Sequence, residues 1–129
     1  METGTSHDDF PLKELTEKVI GAAMEVRTQL GSGYLEKVYE NAVLVELRSR
    51  GVSAVAQSQM SVSYKGTQVG TYLADVLVEG RLICEIKSTR DLAAEHEAQI
   101  INHLKTTGTK VGLLLNFGRS RLQFRRFVY

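Results

Sequence analysis

The chain has 129 residues, 43% hydrophobic and 24% charged, with 16 basic against 15 acidic side chains. A chain of this length makes one ordinary domain that buries roughly two-thirds of its unfolded surface, and its apolar fraction and near-neutral charge exclude a disordered polymer. Its apolar runs are too short for a membrane-spanning helix, and a single cysteine, Cys84, excludes an intrachain disulfide and a thiolate zinc cluster. Met1 to Asp9 are polar and acidic, unlike the basic-then-apolar start of a signal peptide, so a cytoplasmic location without membrane contact is expected. Residues 1–11 read as a flexible N-terminus and 12–129 as a single domain.

Two helices come first. Leu12, Leu15, Val19, Ala22, Ala23, Val26 and Leu30 recur at three- and four-residue steps, the period of a helix with one buried face, until Gly31-Ser32-Gly33 stops it. A second helix is expected from Tyr34 to Arg50, with Leu35, Val38, Ala42 and Val45 on one stripe and Gly51 as its end. From Val52 to Ile86 short β-branched and aromatic stretches, punctuated by Lys65-Gly66 and Glu79-Gly80, read as four strands. A third helix is expected over Asp91–Thr106, closed by Gly108. A buried strand over Val111–Phe117 and an edge strand over Arg119–Tyr129 follow. The order implies a mixed sheet flanked by helices, an α/β layer architecture.

The chemistry gathers on the second hairpin. Asp75, Glu85 and Lys87 interrupt runs that are otherwise strongly apolar, and a buried charge needs a partner or a metal. Glu85 and Lys87 are two apart on a strand and share a face, which is also what a buried ion pair would give. A three-residue loop Val78-Glu79-Gly80 would pair Leu77 with Arg81 and set Asp75 opposite Ile83, diagonal to Glu85, with backbones about 7–8 Å apart. A two-residue loop would send the two acids to opposite faces. Paired carboxylates, with the Ile86 carbonyl between Glu85 and Lys87 as a further ligand, suit Mg²⁺ or Mn²⁺ rather than zinc. Such an ion lowers the pKa of a bound water and neutralises phosphoryl charge, and the Lys87 ammonium would orient that water or stabilise the developing oxyanion. These parts make a hydrolytic phosphodiesterase constellation.

Asp75, nine intervening residues and Glu85-Ile86-Lys87 resemble the D–(D/E)xK signature of the PD-(D/E)xK nuclease superfamily, with Ala74 where the name has proline. Gly33-Tyr34-Leu35-Glu36-Lys37-Val38-Tyr39 is similar to the motif naming its GxxExxY family, and Gly112-Leu113-Leu114-Leu115-Asn116-Phe117-Gly118 to that family's GLL-x-NFG strand. The resemblance implies a restriction-endonuclease-like αβββαβ core, here with an extra N-terminal helix and C-terminal strand. It implies Asp75 and Glu85 as Mg²⁺ ligands, Lys87 as the catalytic lysine, and Glu36 as an extra acidic group. In a related branch Q-x-x-x-Y lines the site, which here reads Gln99-Ile100-Ile101-Asn102-His103 and makes Gln99 a candidate catalytic residue.

Several residues carry two readings. Leu92, His96, Gln99 and His103 form one helical stripe, either a solvated face or, for His96 and His103, contacts to phosphate or base. Residues 110–129 hold Lys110, Arg119, Arg121, Arg125 and Arg126 and no acid, the pattern of a charged edge strand or of a phosphate footprint that would include Arg90. Tyr39 reads as a packing residue and Cys84 as a buried thiol. Three functions follow: a metal-dependent nuclease acting on DNA, a nucleic-acid-binding module without turnover, and a protein-interaction domain whose acids are an ion-pair network. A homodimer would set two sites across a duplex.

Overall fold

The computed structural model describes residues 11–129; the N-terminal segment expected to be flexible falls, apart from Pro11, outside the described residues. The elements are α1 (Lys13–Leu30), α2 (Glu36–Ser49), β1 (Ala54–Tyr64), β2 (Thr67–Val78), β3 (Leu82–Lys87), α3 (Ala94–Thr107), β4 (Val111–Asn116) and β5 (Gln123–Val128). This is the αβββαβ core with one added helix and one added strand. Val52–Ile86 supplies three strands rather than four, because two turn signals, Lys65-Gly66 and Glu79-Gly80, join only three strands, and β2 runs through Gly70 without turning.

Helix α1 buries the expected stripe of Leu15, Val19, Ala22, Ala23 and Val26. Helix α2 is apolar on two sides and buries the other one. Tyr39, Val43, Leu44 and Leu47 face the core, whereas Leu35 is 79% and Val45 69% exposed. The larger side chains decide the rotation: Tyr39 stacks on Phe117 with ring centroids 4.5 Å apart, a pair worth about 0.5–1.5 kcal/mol beyond the area it buries. Helix α3 begins at Ala94 rather than Asp91, where the His96 imidazole accepts the Ala93 N–H at 3.0 Å. Gly108, at φ 73°, ends it as expected.

The five strands lie in the order β1-β2-β3-β4-β5, with β3 and β4 parallel and the other pairs antiparallel. The β3–α3–β4 crossover puts α3 on one face, while α1 and α2 cover the other. The main core lies under α1 and α2 and includes Val76, Val78, Leu82, Cys84, Ile86, Leu113, Leu115 and Phe117. A smaller cluster of Ala74, Ile83 and Leu104 lies on the α3 side, with Met60, Tyr72, Leu77 and Phe127 packed against it. Cys84 is the expected buried thiol, its pKa pushed up by burial first and then by the Asp75 and Glu85 charges. Among the described residues no helix is long and apolar enough to cross a membrane.

Candidate active site

The site forms where β2 leaves β3. Their ladder holds Val78↔Leu82, Leu77↔Ile83 and Val76↔Cys84 and goes no further, whereas β3 stays paired with β4 as far as Lys87↔Asn116. From Glu85 onward one edge of β3 is therefore open. An N–H left on such an edge needs an acceptor, and Ile86 donates to Asp75 Oδ2 at 2.8 Å. Within a strand the N–H and C=O of one residue point to the same edge, so the Ile86 carbonyl faces the same opening. Lys87 alternates, and its carbonyl accepts the Phe117 N–H at 2.9 Å on the β4 side.

The hairpin loop is odd-numbered as expected, but it sits one residue later. Glu79, Gly80 and Arg81 form it, with Glu79 at φ 52° and Gly80 at φ 69°, and Arg81 N–H bonds the Val78 carbonyl at 3.0 Å. Leu77 consequently pairs with Ile83, not Arg81. The same register sets Asp75 directly opposite Glu85 rather than diagonal to it, one step beyond the last ladder pair, and the Asp75 carboxylate reaches into the gap between the strands to meet the Ile86 N–H.

Glu85 is 4% exposed and lies on the α3 side. Its Oε2 accepts the Tyr72 hydroxyl at 2.5 Å and meets His103 Nδ1 at 2.5 Å. The Tyr72 and His103 rings are stacked, 3.8 Å between centroids and 21° from parallel. Burial, followed by the hydrogen bond to Glu85 and its charge, drives the Tyr72 pKa far up, so the phenol stays a donor. Asp75 is pushed above the usual carboxylate range by burial first, against the lowering effect of the Ile86 N–H. Glu40 and Glu85 raise it further, and Lys87 lowers it. Lys87 is half-buried, and among the described residues no hydrogen bond or ion pair holds its ammonium.

Glu40 and Tyr72 were not singled out from the sequence as site residues. Glu40 is 4% exposed, and its Oε1 accepts Lys37 Nζ and Gln57 Nε2, each at 3.0 Å. Its signal was an acid inside the Tyr39–Val43–Leu47 stripe. Glu36, one turn earlier, is exposed and lines an open cleft of about 570 Å³ with Tyr34, Lys37, Glu40, Gln57 and Ser88. The charge on α2 that acts on Asp75 is thus that of Glu40.

The remaining candidates are dispersed. Gln99 is exposed on α3 one turn before His103. His96 is occupied at the start of α3 by the Ala93 N–H. Arg90 and Arg121 are exposed, Arg119 lies 3.4 Å from Asp91, and Arg125 lies 3.3 Å from Glu97, so part of the C-terminal positive charge is answered within the molecule. The two longer motifs converge behind the site. Tyr39 donates to the Gly31 carbonyl at 2.6 Å and receives the Tyr34 N–H at 3.3 Å, which ties down the turn before α2. Asn116 Oδ1 accepts the N–H groups of Thr89 and Gly118 at 3.0 and 3.1 Å, anchoring the chain that leaves Lys87.

Among the described residues no three His, Cys, Asp or Glu side chains converge closely enough to enclose a metal ion alone. The donors present are hard: two carboxylates with free oxygens and a strand-edge carbonyl. They fit Mg²⁺ or Mn²⁺, which keep several waters, and do not fit a closed zinc site. No protein of curated function matches the chain. A family model described as the PD-(D/E)XK nuclease superfamily matches residues 13–127, from the first turn of α1 to the end of β5. With the acidic fork on the central hairpin and the mixed sheet between helices, that match establishes that the chain belongs to the PD-(D/E)XK nuclease superfamily.

Proposed function

We propose that this protein is a divalent-metal-dependent nuclease of the GxxExxY type that hydrolyses phosphodiester bonds of DNA in the cytoplasm. The observation that carries this reading is the fork itself, with the Asp75 carboxylate seated on the Ile86 main chain beside Glu85 and Lys87. Asp75 Oδ1, Glu85 Oε1 and the Ile86 carbonyl would hold Mg²⁺ or Mn²⁺. Such an ion, when bound, lowers the pKa of a coordinated water and neutralises charge on the scissile phosphate. The Ile86 N–H fixes the Asp75 carboxylate, and the partly buried Tyr72 and His103 hold that of Glu85. Lys87, with its ammonium uncommitted, orients the attacking water and stabilises negative charge on the phosphoryl oxygens. Glu40 adds negative charge behind Asp75 and favours a cation there. Gln99, Arg90 and Arg121 are exposed and supply contacts to the nucleic-acid backbone, and two copies of the chain would address both strands of a duplex.

The test is incubation of the wild type, Asp75→Ala and Lys87→Ala with plasmid, single-stranded DNA and RNA, in Mg²⁺ or in EDTA. The expected result is cutting of DNA by the wild type in Mg²⁺ only, with rates about 10²–10⁴-fold lower in Lys87→Ala. Salt-sensitive binding without cutting would replace this reading with that of a binding module. Cutting that survives Lys87→Ala at the wild-type rate would reject the assigned site.

A further inference from the structure

Glu85 is held in a way that its place on β3 alone does not require. A carboxylate has about four lone-pair positions, yet both donors here converge on one oxygen, Oε2. They come from different elements, the Tyr72 hydroxyl from β2 and His103 Nδ1 from α3, and their stacked rings brace each other. Tyr72 also packs against the cluster formed by Ala74, Ile83 and Leu104, which roots the pair in the α3-side core. Glu85 has a side-chain exposure of 5% and His103 of 23%, so the contact is shielded from competing water. Among the described residues no donor meets the other oxygen, Oε1.

We propose that Tyr72 and His103 are positioning residues that occupy Glu85 Oε2 and so present Oε1 alone, in a fixed direction, to a divalent ion in the fork. The inference rests on the metal-dependent reading above and goes beyond it by assigning two side chains that touch neither ion nor substrate. A glutamate has three rotatable side-chain bonds, and a free one would sample several rotamers, facing the ion with one oxygen, two or none. Two donors on one oxygen remove that choice before the ion arrives. Histidine suits the α3 position because Nδ1–H reaches a carboxylate while the ring lies flat on Tyr72, which a flexible amine could not do. Partners that orient a metal-ligating carboxylate typically change metal affinity by about 10- to 100-fold when removed.

The experiment is calorimetric titration with Mn²⁺ of the wild type, Asp75→Ala, Tyr72→Phe, His103→Ala and His103→Asn, with thermal unfolding of each measured in EDTA. Tyr72→Phe and His103→Ala are each expected to weaken Mn²⁺ about 10- to 100-fold, beyond any change that their unfolding curves explain. His103→Asn is expected to recover most of the loss, because its amide nitrogen falls near the place of Nδ1. If His103→Ala does not fold, Tyr72→Phe, which lacks only a hydroxyl, and His103→Asn decide the matter. Wild-type affinity retained in Tyr72→Phe and His103→Ala, with binding abolished in Asp75→Ala, overturns this inference and leaves the metal site standing. A wild type that binds no Mn²⁺ overturns the metal reading and the inference together.

Discussion

Gly118→Ala is the substitution whose cost can be worked most directly from the structure. A Cβ at this position would lie 2.1 Å from the Thr89 carbonyl oxygen, 2.5 Å from its carbon and 2.6 Å from its nitrogen. All three are main-chain atoms, so no rotamer change relieves the clash, and the segment must retreat by about 1.5 Å to reach an ordinary contact distance. That segment is tethered, because Thr89 and Gly118 both donate to Asn116 Oδ1, which belongs to a fully buried side chain. Moving one donor away strands a buried polar group at about 1–3 kcal/mol, and the residual overpacking adds about 1–3 kcal/mol. For a domain of this size the combined loss lowers Tm by on the order of 10 °C. Thr89 also lies two residues beyond Lys87, so the same displacement should depress the proposed nuclease activity. Urea denaturation with an unchanged m-value measures the stability. Gly112→Ala is the control: its Cβ would meet Ile100 and Leu104 side-chain atoms at 2.9–3.2 Å, which can give, and it should cost under about 2 kcal/mol. Gly118→Ala within about 0.5 kcal/mol of the wild type, or less harmful than Gly112→Ala, would refute the reasoning.

Three further outcomes are expected. Asp75 has a folded-state pKa above its unfolded one, so its contribution to stability is full below the ordinary carboxylate pKa and is lost as pH rises through the folded value. Asp75→Asn, whose amide oxygen still accepts the Ile86 N–H, should therefore be more stable than the wild type at neutral pH in EDTA, with the gap closing below about pH 4; urea titrations across pH would show the opposite order if the charge were not opposed. Glu40→Gln should lower the Asp75 pKa seen by carboxyl NMR, and Glu36→Gln should leave it unmoved, because only the former charge is among those acting on Asp75. Tyr39→Phe should cost about 1–2 kcal/mol in urea denaturation, through loss of the hydroxyl bonds to Gly31 and Tyr34.

Periodicity gave the location of every helix and the face that α1 buries, because a helix with one apolar stripe has a single way to pack. It did not give the face of α2, where two stripes compete and the choice depends on Phe117, a residue 78 positions beyond Tyr39 that no local pattern links to it. The motifs around Glu36 and Asn116 were visible as strings, but their work is mutual. Tyr39 and Phe117 stack, and Asn116 and Gly118 pin the chain after Lys87. Glu40 was hidden because an acid one turn into a helix reads as solvated until Gln57, from another element, is seen to donate to it. Tyr72 was hidden for a related reason: a tyrosine in a strand reads as packing, and its hydroxyl becomes informative only once Glu85 is seen to receive it.

The place of Asp75 follows from a break in alternation that spacing arguments assume away. In β1 and β2 the even-numbered residues change sides: Ala54, Ala56, Val76 and Val78 pack with α1 and α2, whereas Met60, Tyr72 and Ala74 pack with α3. The change falls between Ala56↔Val76 and Ser58↔Ala74, where Gln57 takes a left-handed φ of 50° opposite Asp75. Such a conformation is costly for a residue other than glycine and persists where its surroundings demand it. Here Gln57 is held by Glu40 at 3.0 Å. A side chain at the crossover belongs to neither face, so Asp75 lies in the plane of the sheet. From there it fills the open edge of β3 and meets the Glu40 charge from one helical layer and the Glu85 charge from the other. A ladder continued past Val76↔Cys84 would have set Asp75 directly opposite Glu85 and given the Ile86 N–H to a main-chain carbonyl of β2, leaving the Asp75 carboxylate no place on that edge. The strained residue at Gln57 and the acidic fork are therefore one construction, which makes the β1–β2 crossover as much a part of the site as the carboxylates it brings together.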